Sequence, residues 1–150
     1  MGTQQILMIV LTVIVVGAAV AVGIQMFDTQ SNNQARNAIA LDLSQHAVQS
    51  QAWYRTPKGM GGGGHDAPSV INDIAKFVNQ TAVGGIFENP NGTFTFTLGG
   101  TLPSSGGSHS ITIVGEAKSN RDIVGTAIVD LSGNAHGEDD FERGIQIKFN

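Results

Sequence analysis

The chain has no cysteine among its 150 residues, so it forms no disulfide, holds no thiolate-bound metal, carries no covalently attached c-type haem and runs no thiol catalysis. From Met1 to Phe27 there is no Asp, Glu, Lys or Arg, and all twelve acidic and eight basic residues lie beyond that stretch. With no basic n-region and an apolar run longer than a signal core, the start of the chain does not read as a removable signal peptide. The basic residues are scattered and the formal net charge is −4, which leaves no basic surface to attract nucleic acid. Between Gly23 and Pro57 there is neither glycine nor proline, so nothing there breaks a helix. Twenty glycines, with many Ser, Thr and Asn, suit a loop-rich exported surface.

What is there begins with "ILMIVLTVIVVGAAVAVGI", Ile6 to Ile24, in which Thr12 is the one polar side chain. At about 1.5 Å per residue these residues reach roughly 30 Å, the thickness of a bilayer's hydrocarbon core. Apolar or small residues then recur at helical spacing: Phe27, Ser31, Ala35, Ala38 and Ile39, Asp42 and Leu43, His46 and Ala47, Ser50, Trp53 and Tyr54. Asp28, Asn32, Arg36, Gln45 and Gln49 fall on the remaining, water-facing positions. The pattern predicts one helix that ends near Tyr54, ahead of Pro57, because proline disfavours helix in the residue before it. A helix of about fifty residues is on the order of 75 Å long, more than a compact domain of this size can bury. Its apolar half therefore needs lipid or copies of itself as cover. Gly17 and Gly23 each cost about 1 kcal/mol relative to Ala in a water-exposed helix interior. Ala19 and Gly23 form a small-xxx-small pair that allows close helix approach, although glycine is also simply common in membrane helices.

Beyond a Gly-rich turn, "PSVINDIAKFVN" from Pro68 to Asn79 places Val70, Ile71, Ile74, Phe77 and Val78 on one face of a short second helix. "TFTFTL" from Thr93 to Leu98 alternates Phe94, Phe96 and Leu98 inward with threonines outward, behind an Asn91-Gly92 turn signal. His109 to Ala117, Ile123 to Leu131 and Ile145 to Phe149 supply three more strands, giving a four-stranded antiparallel meander. Its apolar face needs a cover, and the helix from Ile39 to Trp53 is available. The expected fold class is α+β, a long N-terminal helix with a hydrophobic first half, packed against a small antiparallel head.

Candidate chemistry is thin. "GMGGGGH" has the glycine separation of a phosphate-binding loop, but His65 and Asp66 stand where that motif needs Lys and Ser or Thr, and no strand precedes it. It reads instead as a flexible or tightly turned connector that lets backbone pass close to a neighbouring subunit. His46, His65, His109 and His136 show no ligand spacing and read as exposed or packed structural residues. Asp130, Asn134, Glu138, Asp139 and Asp140 gather oxygen ligands in one loop, a weak calcium candidate without EF-hand spacing. Asn79-Gln80-Thr81 and Asn91-Gly92-Thr93 are glycosylation sequons. No nucleophile elbow or comparable signature is present, so neither an enzyme nor a cofactor is expected.

An uncharged N-terminus, an apolar run, an amphipathic extension to about residue 54 and a small C-terminal domain together resemble a type IV pilin. That resemblance implies residues 1–27 as membrane anchor and later filament core, 28–56 as the amphipathic continuation, and 57–150 as the head. It implies partners too: an inner membrane before assembly, a pilus assembly machinery, and other copies of the chain in a helical homopolymer at the cell surface. Assembly would draw on Met1, Gln5, Gly17 and Gly23. Gln5 stands where most bacterial members carry a glutamate that compensates a neighbour's terminal amine, and an amide can only hydrogen-bond to that amine. The family's short basic leader ending in Gly does not precede Met1, so the expectation is either a mature sequence or a helix preceded by Met1 and Gly2 alone. "WYRTPKGMGGGGHD" also resembles a YR-x-P-x-x-MGGGG tract of pilin-like bacterial proteins, one that implies no activity. The architecture also fits a pseudopilin of a secretion system. A membrane-tethered binding module is the reading from another class, and it has no use for an amphipathic continuation as far as Trp53.

Overall fold

The computed structural model describes residues 2–66, 68, 70–99, 109–131 and 144–150. Helix α1 (Gly2–Arg55) is continuous over 54 residues, as the missing breakers require. Its hydroxyl side chains turn back on the helix: Thr12 Oγ1 donates to Met8 O at 2.7 Å, and Thr29 and Ser44 do the same to Gln25 O and Ala40 O. The chain divides into two compact units, Met1–Gln34 and Ala35–Asn150. In the first, every described residue is an exposed residue of α1.

The second unit has its own core. A short helix α2 (Ile71–Val78) is followed by β1 (Ile86–Glu88), β2 (Gly92–Leu98), β3 (Ser110–Ala117), β4 (Val124–Asp130) and β5 (Ile145–Phe149). The strands pair antiparallel in the order β1-β2-β3-β4-β5, an unbroken meander. The sheet therefore has five strands rather than four. The additional strand is only three residues long, too short for an alternating pattern to mark it, and it pairs Phe87 with Phe94. The turn behind it is built by Asn89, whose Oδ1 accepts from the backbone N–H of Asn91 at 2.9 Å and of Gly92 at 2.8 Å.

One sheet face carries Phe94, Phe96, Ile111, Ile113, Ala127 and Val129, all essentially without solvent contact, beside Ile39, Leu43 and Ala47 of α1. Small residues make room for the helix. Gly115 lies opposite Phe94 on β2 and opposite Gly125 on β4. A Cβ at Gly92 would approach Ile39 Cδ1 to 2.8 Å, one at Gly115 would approach Ile39 Cγ2 to 3.2 Å, and one at Gly125 would approach Leu43 Cδ1 to 2.7 Å. The glycines thus form a groove in the sheet into which Ile39 and Leu43 pack.

Three inward assignments are corrected at the edges of the head. Leu98, at the end of β2, is 46% exposed although Phe94 and Phe96 before it are buried. Phe77 is 42% exposed, and Val70, extended at the N-cap of α2, does not belong to the helix at all. α2 buries Ile74 and Ala75 and packs Ile71 and Val78 partly against the core, so three of the five expected apolar positions, Ile71, Ile74 and Val78, do face it.

Candidate assembly surface

In the first unit the apolar side chains from Ile6 to Phe27 are all exposed. Leu7 and Met26 are each 71% exposed and Phe27 is 73% exposed. The helix is long and apolar enough to cross a membrane, and its most apolar stretch has no residue buried within the chain. At roughly 25 cal/mol per Å² of apolar area, leaving such a run in water costs tens of kcal/mol relative to burying it. The one hydroxyl in the run, on Thr12, is already hydrogen-bonded, so it adds no unpaired donor to an apolar surrounding. Around Gly17 and Gly23 a Cβ would meet nothing within 4 Å, so nothing among the described residues requires glycine at either position. Gln5 is likewise exposed on this helix, and Met1 lies outside the described residues.

In the head, α1 is held by polar contacts that the sequence pattern does not reveal. Asp42 Oδ2 accepts from Asn89 Nδ2 and from Asn91 Nδ2, both at 2.8 Å, fastening the β1–β2 turn to the helix. No local signal pairs residue 42 with residues 47 and 49 positions away. Gln51, buried one turn before the helix end, donates through Nε2 to the backbone oxygen of Asp130 at 2.9 Å. His46 is 9% exposed, its ring edge-on to Phe94 at 4.8 Å between centroids and to Phe87 at 5.1 Å. Neither ring nitrogen makes a hydrogen bond of good geometry. Burial pushes its pKa down from the ordinary value, against the smaller opposing influences of the Asp42 charge and the Gln49 side chain. Burial thus favours the neutral form of a ring packed among phenylalanines.

The glycine tract is a helix cap. The last turn of α1 leaves carbonyls without helical partners. Gly63 N–H donates to Trp53 O at 2.8 Å, Gly64 N–H to Thr56 O at 2.9 Å and His65 N–H to Tyr54 O at 2.9 Å, while Thr56 N–H and Oγ1 take Ala52 O. Gly61, Gly64 and His65 all adopt positive φ. A Cβ on Gly63 would lie 2.6 Å from the Trp53 ring, and one on Gly62 would lie 2.2 Å from Thr56 O. A connector that turns tightly is therefore what the structure contains, but the backbone passes close to this chain's own helix end. The amides that a phosphate would need point at carbonyls instead. An exposed Lys58–Asp66 ion pair closes the tract, and the hydrogen bond and charge of Lys58 hold the Asp66 carboxyl below its usual range. An open cleft of about 680 Å³ runs beside it, lined in part by Trp53, Asp73, Lys76 and Phe77.

The remaining candidates are not brought together. Of the calcium candidates, Asp130 is buried at the end of β4, and Asn134, Glu138, Asp139 and Asp140 lie outside the described residues, as does His136. Among the described residues no three His, Asp or Glu side chains converge on a point that could hold a metal ion. His65 and His109 each stack edge-on against Tyr54, at 5.3 and 5.5 Å. The two sequons differ. Asn91 donates the amide nitrogen through which a sugar would be attached to Asp42, whereas Asn79 uses its oxygen, accepting from Thr81 N–H at 3.0 Å and Thr81 Oγ1 at 2.8 Å. No known protein family, curated protein or solved structure matches the chain.

Proposed function

We propose that this chain is a non-enzymatic structural subunit of an extracellular type IV pilus-like filament. In this reading the first turns of α1 hold the subunit in the inner membrane, an assembly machinery extracts it, and the same helix then packs against its copies while the heads form the outer surface. The observation that carries the reading is the division of one uninterrupted helix. Its residues up to Gln34 have no cover within the chain, while Ile39, Leu43 and Ala47 are core residues of the head. An anchor for a binding module needs a span and a linker. It does not need a helix that runs on unbroken into the core of the head.

Lipid and neighbouring helices are both apolar, so burial alone does not choose between them, and extraction from the membrane needs dedicated machinery. The test is negative-stain microscopy of material sheared from the producing cells, followed by peptide mass spectrometry. Filaments composed predominantly of this chain are expected. Recovery of the chain solely as a monomer in inner-membrane fractions overturns the reading.

A further inference from the structure

We infer that Asp28 of one copy and Arg36 of the next form the ion pair that sets the axial stagger between neighbouring helices, an inference that rests on the filament reading above. They are the sole acidic and the sole basic side chain between Met1 and Leu41. Both are exposed on α1, and the two ion pairs of the described residues, Lys58–Asp66 and Arg121–Glu116, involve neither. Asp42, the next acid along the helix, is already engaged by Asn89 and Asn91. Asp28 and Arg36 are eight residues apart, about 12 Å of helical rise, too far to close an ion pair along one helix.

Once copies pack side by side and exclude water, each lone charge must find an opposite one or carry the full desolvation penalty. The acid and the base supply each other's partner when parallel neighbours are offset by about 12 Å along the axis. Eight residues also turn the two side chains about 80° apart round the helix, so the acid faces one neighbour and the base another. That is a heterologous contact, in which the same pair repeats from copy to copy without closing, as an open helical polymer requires. The apolar side chains that precede Asp28 pack acceptably at several registers, so they specify an offset only weakly. The pair supplies that choice.

The test uses the full chain in the producing cell and compares sheared filament yield for the native chain, Asp28→Arg, Arg36→Asp and the double reversal. Each single reversal is expected to lower the yield at least about tenfold by placing like charges together, and the double is expected to recover to within about threefold of native. Equal membrane levels of all four chains show that the reversals act on assembly and not on folding. Native filaments with undiminished single variants, or a double variant no better than the singles, overturn the pairing while leaving the filament reading intact. Absence of filaments from the native chain overturns the filament reading itself, and the pairing with it.

Discussion

The two parts of α1 are one helix and both carry apolar side chains, yet those side chains meet opposite fates. Leu11 and Leu43 are the same side chain on the same helix, 54% exposed and wholly buried respectively. Apolar character alone does not decide between them, since Leu41 in the head is 72% exposed. The difference is the partner surface. Ile39 and Leu43 face a sheet whose glycines open a groove, and the described residues up to Gln34 are all exposed, with no cover from the rest of the described residues. The glycines repeat the contrast. Gly63, Gly92, Gly115 and Gly125 are needed because other atoms stand where a Cβ would go, whereas Gly17 and Gly23 have open space around them. A requirement for smallness at those two positions, if assembly reveals one, comes from another molecule.

The contrast can be broken or sharpened by paired substitutions in the detergent-solubilised full chain. The largest effect is expected for Leu43→Ala, which should destabilise the head by about 2–5 kcal/mol in denaturant unfolding. Leu11→Ala should leave the same transition within about 0.5 kcal/mol. Similar losses for the two would show that the uncovered part of the helix also supports the head.

Gly63→Ala, which drives a methyl group into the Trp53 ring, should cost about 1–3 kcal/mol. Gly17→Ala should leave head stability unchanged and act, if at all, on filament yield.

A smaller effect is expected from pH. The folded head holds His46 neutral, so at pH values below about 6.5 the unfolded chain binds a proton that the fold refuses. The His46 contribution is fully present above that pH. It is lost as pH falls toward the lowered folded value, with a slope of at most about 1.4 kcal/mol per pH unit. Fluorescence-detected unfolding of native and His46→Leu chains between pH 5 and 8, about the range in which histidine titrates, should show this slope in the first and not in the second.

The smallest effect is expected for Asp42→Ala, which removes the acceptor for Asn89 and Asn91 and should cost about 1 kcal/mol, since these bonds lie near the surface. The same substitution frees the Asn91 amide nitrogen, so glycan occupancy at Asn91, read by peptide mass spectrometry, should rise in a host that modifies sequons.

Much of the fold was legible because its signals are local and periodic. The 3.6-residue spacing of Ile39, Leu43 and Ala47 marks the buried face of α1, and the alternation of Phe94 and Phe96 marks β2. β1 was not legible, because three residues cannot display a period, although the Asn89-Pro90-Asn91-Gly92 turn behind it was a usable sign that a strand precedes β2. Leu98 was misplaced because the alternation of β2 continues to its last, exposed residue, and Phe77 lies on the exposed side of α2 although Val78 after it packs against the core. The polar contacts of Asp42 and Gln51 depend on which distant turn reaches the helix, and composition carries no trace of that.

By itself the sequence determined a helix that runs unbroken to the residues just ahead of Pro57 and an apolar opening that needs a cover other than water, because breakers, charges and apolar spacing act within a few residues of one another. The tertiary structure alone decided where on that helix the head begins, and it turned a glycine tract that resembled a phosphate loop into the cap of the helix end. Both outcomes depend on surfaces brought together from far apart in the chain. A groove of glycines on three strands, or a row of unpaired carbonyls at a helix end, exists as a binding partner only after the chain has folded.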